Sequence, residues 1–279
     1  MIKNILLALD GSEHSQAALR YALWLAERFR AQLTGLHVID IVSVEGPFFQ
    51  DISGAFGFEP YLDVSGKVRE ALHNRGQFIL EEFATTCREQ GIHYETDLVT
   101  GVIANQICER ARTTDLVVIG HRGVNEKFST GLLGGTAESI TRKSPRPVFI
   151  TPMQFQPISK PLLAYDGSPR ASTVMHSAAE FCSALNLPLT VLTITPREKS
   201  GEEKVLEEAR HYLSSYDVKP TLLSVTGHPN QRIVDYIKEC GHDLLFIGAY
   251  GHSRIIEMVL GSTTEYVLRN APCPVFLSR

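Results

Sequence analysis

An apolar run at 4–9 ends in Asp10-Gly11-Ser12, the pattern of a buried strand closed by a turn. Residues 15–30 then set Ala18, Ala22, Leu25 and Phe29 at helical spacing, which predicts a helix capped by Ser12 or Ser15. Further apolar runs near 33–39, 94–99, 115–120 and 147–151 predict strands, with helical patterns near 66–90, 102–113 and 136–144. Strand and helix alternate, so the pattern predicts a five-stranded, mainly parallel sheet covered by helices. Right-handed crossovers leave few topologies, and ligands belong at the carboxyl ends of such strands.

The chain then repeats itself. NILLALDGS at 4–12 returns as PLLAYDGS at 161–168, and LTGLHVID from Leu33 as LTVLTITP from Leu189. VTG at 99–101 recurs at 225–227, DLVVIGHRG at 115–123 as DLLFIGAYG at 243–251, and RPVFIT at 146–151 as CPVFLS at 273–278. The echoes keep one order at an offset of about 127–156 residues, the mark of domain duplication rather than of a solenoid. The expected domains are 1–152 and 158–279, joined through the proline-containing stretch 151–161. Only the first carries an insertion, 43–66, rich in Gly, Pro and Phe, which reads as a lid, a contact surface or a mobile loop. Phe48, Phe49, Phe56 and Phe58 within it offer a partner-binding surface or fold back over the core.

Composition narrows the function classes. At 279 residues, 43% hydrophobic and 21% charged, the chain is globular in type, and a net charge of −4 offers no general attraction to nucleic acid or anionic membrane. No apolar segment approaches the roughly 18 residues of a membrane span. Five scattered cysteines without a CxxC pair read as small hydrophobes in a reducing cytoplasm. The histidines form no HxxxH or HxH pair, so no protein-built metal site is expected. Ser12 and Ser168 lie in no GxSxG elbow, which argues against a hydrolase.

The remaining chemistry lies after the fourth strand of each half. There is no GxxxxGK[ST] and no GxGxxG. The second half instead has Gly248, two residues, Gly251, nine residues, Gly261 and Ser262, just before TTEYVLRN. Glycines permit close backbone approach, and the free N–H groups of a helix start face an anion. On spacing alone this is either a phosphate-binding loop, helped by His252 or Arg254, or a surface loop whose glycines serve turns. Asp10 and Asp166 read as turn and cap residues rather than as general bases.

Gly248-x2-Gly251-x9-Gly261-Ser262 resembles the ATP-binding signature of the universal stress protein family. The first strand ending in Asp, the LHVID second strand and the final PVF strand resemble that family too, over essentially the whole chain. The resemblance implies two tandem adenine-nucleotide α-hydrolase-like α/β domains that bind ATP, with or without Mg2+. It would place Asp166 against the adenosine, Ile194 beside the adenine, Gly248 and Gly251 near the ribose and phosphates, and Gly261, Ser262 and Thr263 on the phosphate chain. The matching first-half positions are Asp10, Val38, Gly120, Gly123, Gly134, Gly135 and Thr136. This half departs from the signature: ten residues separate Gly123 from Gly134, and Gly135 stands where a hydroxyl is expected, although Arg122 and Lys127 keep the loop cationic.

The expectations are therefore an ATP-dependent regulator of stress response, binding mainly in the second half, with slow ATP hydrolysis or phosphate transfer as the alternative. A ligand-free structural dimeriser is a third class. The final strands, 148–150 and 275–277, are expected to pair within the chain as a pseudo-dimer, with a homodimer and a regulatory partner open. The 43–66 insertion is expected near a nucleotide cleft or an intermolecular contact.

Overall fold

Three side chains at the start of the chain show how the sheet is built. In β1 (Asn4–Ala8), Ile5 and Leu7 enter one apolar cluster and Leu6 another, and all three are buried. The same alternation recurs in β4 (Leu116–Gly120), β5 (Val148–Thr151), β9 (Leu244–Gly248) and β10 (Val275–Ser278). Strands buried on both faces require helices on both sides of the sheet. The computed structural model describes residues 1–40, 58–123, 135–195, 202–248 and 261–278.

One face carries α1 (Glu13–Phe29), α2 (Phe58–Glu89), α5 (Pro169–Leu185) and α6 (Glu202–Leu213). The other carries α3 (Ile103–Arg110), α4 (Gly135–Lys143), α7 (Pro229–Cys240) and α8 (Ser262–Asn270). The remaining strands are β2 (Gln32–Asp40), β3 (Tyr94–Gly101), β6 (Pro161–Ala164), β7 (Leu189–Thr195) and β8 (Pro220–Thr226). The ten strands form one sheet in the order β3-β2-β1-β4-β5-β10-β9-β6-β7-β8, so each half repeats the order 3-2-1-4-5 inward from its own outer edge. Every pairing is parallel except the central one, β5 with β10, where Val275 faces Ile150, Phe276 faces Phe149 and Leu277 faces Val148. The expected pairing of the two final strands is thus present, and it hides two open edges inside the sheet.

Corresponding polar devices support each half. Ser12 Oγ accepts from Ser15 N at 3.1 Å, making Ser12 the cap of α1, and Ser168 Oγ accepts from Ala171 N at 3.2 Å on α5. The Asp115 carboxylate accepts from the N–H groups of Lys3 and Asn4, and Asp243 accepts from those of Ser159 and Lys160. The connection between β5 and β6 is clasped rather than loose. Tyr21 OH donates to Gln154 O and accepts from Gln156 N, both at 3.1 Å. Ile158 is buried in the core.

One expected boundary moves. The helix placed near 66–90 begins at Phe58, so the last part of the 43–66 insertion is helical; 41–57 lie outside the described residues. Pro60 sits in the first turn, where its missing N–H costs nothing. Gly66 weakens a helix by only about 1 kcal/mol relative to alanine, too little to end one. Phe48, Phe49 and Phe56 lie outside the described residues. No helix among the described residues is long and apolar enough to cross a membrane.

Candidate functional site: two clefts at the strand ends

Each half reverses strand order between its first and fourth strands, and a cleft opens at their carboxyl ends, where such sheets take ligands. The first cleft encloses about 890 Å³ and the second about 800 Å³, each figure including its open, solvent-filled mouth. Asp10, Val38, Gly120, Gly123, Gly135 and Thr136 all line the first. Asp166, Ile194, Gly248 and Thr263 line the second. Gly261 caps α8 and Ser262 is its exposed first residue, and neither is among the residues that line the cleft. Ser262 is therefore inside the helix rather than just before it. Gly134, Gly251, Lys127, His252 and Arg254 lie outside the described residues.

The aspartates are set by the turns that follow them. Asp10 Oδ1 accepts from Ser12 N at 2.9 Å and Asp166 Oδ1 from Ser168 N at 3.0 Å. The glycine between has φ of +78° at Gly11 and +74° at Gly167, the left-handed region that disfavours any side chain. The carbonyl before each aspartate is held from the second strand. His37 Nδ1 donates to Leu9 O at 2.7 Å, and Thr193 Oγ1 donates to Tyr165 O at 2.9 Å. Burial, foremost, pushes the His37 pKa below its ordinary value, so the ring is neutral at pH 7 with its proton on Nδ1.

Gly120 and Gly248 have a structural reason to be glycine. A Cβ at 120 would lie 2.9 Å from backbone atoms of His14, and one at 248 would lie 3.0 Å from the backbone of Arg170. These glycines let the first turn of α1 or α5 press against the strand end that floors each cleft. Gly123 closes on the carboxylate itself: a Cβ there would lie 2.6 Å from Asp10 Oδ2. Gly135 differs, because a Cβ there meets none of the described residues within 4 Å.

Sequence reasoning missed much of the apolar wall. Ile103, Ile107 and Ile140 line the first cleft, and Pro229, Ile233 and Ile247 the second. The signal was in the repeat. Ile103 and Ile107 stand two and six residues after Gly101, as Pro229 and Ile233 do after Gly227, and both pairs follow the echoed VTG. Each cleft thus runs from an apolar wall, past a carboxylate, to a helix start carrying threonine. Helix geometry leaves the first N–H groups of α4 and α8 without intrahelical partners, a donor set suited to an anion. Arg122 adds a cation to the first cleft. No cluster of His, Cys, Asp or Glu suited to a metal occurs among the described residues.

The universal stress protein family model matches the chain twice, over residues 1–152 and 158–279. A universal stress protein of Synechocystis sp. is 32% identical over the full length of both chains. Another, from Mycolicibacterium smegmatis, is 24% identical over 99% of this chain and 97% of its own. Among solved structures, a universal stress protein of Archaeoglobus fulgidus superposes with a TM-score of 0.76, at 22% identity, covering 99% of this chain and 98% of its own. Two copies of one domain, fused edge to edge and each with a cleft at the same strand ends, place this chain in the universal stress protein family.

Proposed function

We propose that this protein binds ATP, mainly in the second cleft, and acts as a nucleotide-dependent regulator of stress response in the cytoplasm. The observation that carries the proposal is the sequence of surfaces along that cleft: apolar wall, aspartate, glycine floor, threonine-bearing helix start. Adenine would lie beside Ile194 and the adenosine part near Asp166. Gly248 and Gly251 would admit the ribose and phosphates, and Gly261, Ser262 and Thr263 would hold the phosphate chain. Mg2+ would ride on the phosphates without dedicated protein ligands. In the first half the matching parts would fall to Asp10, Val38, Gly120, Gly123, Gly134, Gly135 and Thr136. Its longer loop and its missing hydroxyl favour weaker binding there.

Losing one charge-assisted phosphate hydrogen bond costs about 1.5–3 kcal/mol, or roughly ten- to a hundredfold in affinity. Calorimetry should therefore find one tight ATP site that Gly261→Val removes and Asp10→Ala leaves in place. Gly261 has φ of −58°, which admits a side chain, so its loss of binding would report on the cleft rather than on strain. The reverse pattern would assign the tight site to the first half. Mass spectrometry of nucleotide retained through purification tests occupancy, and a turnover assay under a magnesium titration separates binding from slow hydrolysis.

A further inference from the structure

β4 and β9 end in corresponding loops, but the residue after the terminal glycine differs. His121 follows Gly120, whereas Ala249 follows Gly248. His121 reaches into the other half, where its Nε2 lies 2.6 Å from the carbonyl oxygen of Leu268 in α8. A carbonyl only accepts, so this nitrogen carries the proton. The backbone of His121 is fixed in turn, its N–H donating to Thr151 O at 3.1 Å. Leu268 lies in the last turn of α8, where carbonyls lack intrahelical partners. The ring therefore caps a helix of the second half with a donor mounted on the first-half loop.

Both ends of this connection are cleft elements. Gly120, Arg122 and Gly123, neighbours of His121 in the chain, line the first cleft. At the other end of α8, Thr263 and Thr264 line the second, and Thr264 Oγ1 donates to Gly248 O at 3.4 Å. Leu268 is five residues from Thr263, about 7.5 Å along a helix that rises 1.5 Å per residue. One hydrogen bond and one short rigid helix span the distance between the clefts. The mirror-image side-chain bond has no donor, because position 249 is alanine.

We propose that His121 couples the two clefts energetically, so that a ligand displacing the first loop alters affinity at the start of α8. The functional meaning rests on reading both clefts as nucleotide sites. Coupling of binding free energies is reciprocal, so ATP in the second cleft would alter the first by the same factor. Intermediacy in space does not establish coupling; a double-mutant cycle does.

The cycle can be run without ligand. Gly120→Ala puts a Cβ 2.9 Å from backbone atoms of His14 and forces apart the end of β4, which leads into His121, and the first turn of α1. Amide hydrogen exchange in α8 is measured for the intact chain, Gly120→Ala, His121→Ala and the double variant. His121→Phe, which keeps a ring and drops the donor, replaces His121→Ala if the latter does not fold. With His121 present, Gly120→Ala should change α8 exchange by about two- to thirtyfold more than it does without it. An equal effect in both backgrounds, or none in either, would overturn the coupling. ATP titrations add a second arm: the second-cleft site persists in Asp10→Ala, and the severalfold shift that filling the first cleft causes there is lost with Asp10→Ala or with His121→Ala. If ATP binds neither cleft, the nucleotide proposal fails while the exchange cycle still decides the coupling.

Discussion

Gly135 and Gly120 line the same cleft, yet the absence of a side chain has a different cause at each. No described residue comes within 4 Å of the missing Cβ of Gly135, so no described packing forbids the hydroxyl that Ser262 has in the other half. Gly135→Ser should therefore fold normally and strengthen ATP binding in the first cleft about tenfold or more, read by calorimetry in a Gly261→Val background. Gly120 faces backbone, which cannot swing aside as a flexible side chain can. Gly120→Ala should cost about 1–3 kcal/mol in urea unfolding, as overpacked sites do, whether or not ligand is present. Spacing alone marks both positions as glycine and cannot separate these causes, since the partner of Gly120 is the backbone at His14, distant in sequence.

Elements were legible where burial imposes a period. The strands read as apolar runs because both faces of the sheet are covered, and α1 read as a helix because one stripe faces the core. Local signals misled at Pro60 and Gly66, where two nominal breakers lie within α2 without ending it. The serine caps were legible in kind, but Ser12 and Ser15 compete on paper and only backbone geometry selects Ser12. Removing a helix cap costs about 1 kcal/mol. Ser12→Ala and Ser168→Ala should each lower unfolding free energy by that amount. The caps serve different helices, so the double variant should show the sum. Clefts were legible only in part, because most of the residues that wall them, such as Ile103, Ile107, Ile140 and Ile233, belong to helices whose other residues serve the core.

At the scale of the whole molecule, duplication produced one packed body rather than two tethered ones. The apolar cluster on each face of the sheet draws residues from both halves, and Phe29 meets Phe181 across the junction at 5.1 Å. Such continuity predicts a single cooperative unfolding transition, and two histidines provide its test. His37 in the first half and His242 in the second each donate from Nδ1 to a backbone carbonyl, of Leu9 and Lys160. Burial, the leading cause in both, lowers their pKa values in the folded protein. The unfolded chain therefore binds these protons first as pH falls, and stability is lost from about 6.5 downward toward the folded values. Each group contributes a slope of at most about 1.4 kcal/mol per pH unit in that window. In one cooperative transition the two slopes add, and His37→Gln or His242→Gln should each remove its own share. Two resolved transitions, each losing its pH dependence to only one of these substitutions, would show that the halves unfold independently despite their shared sheet.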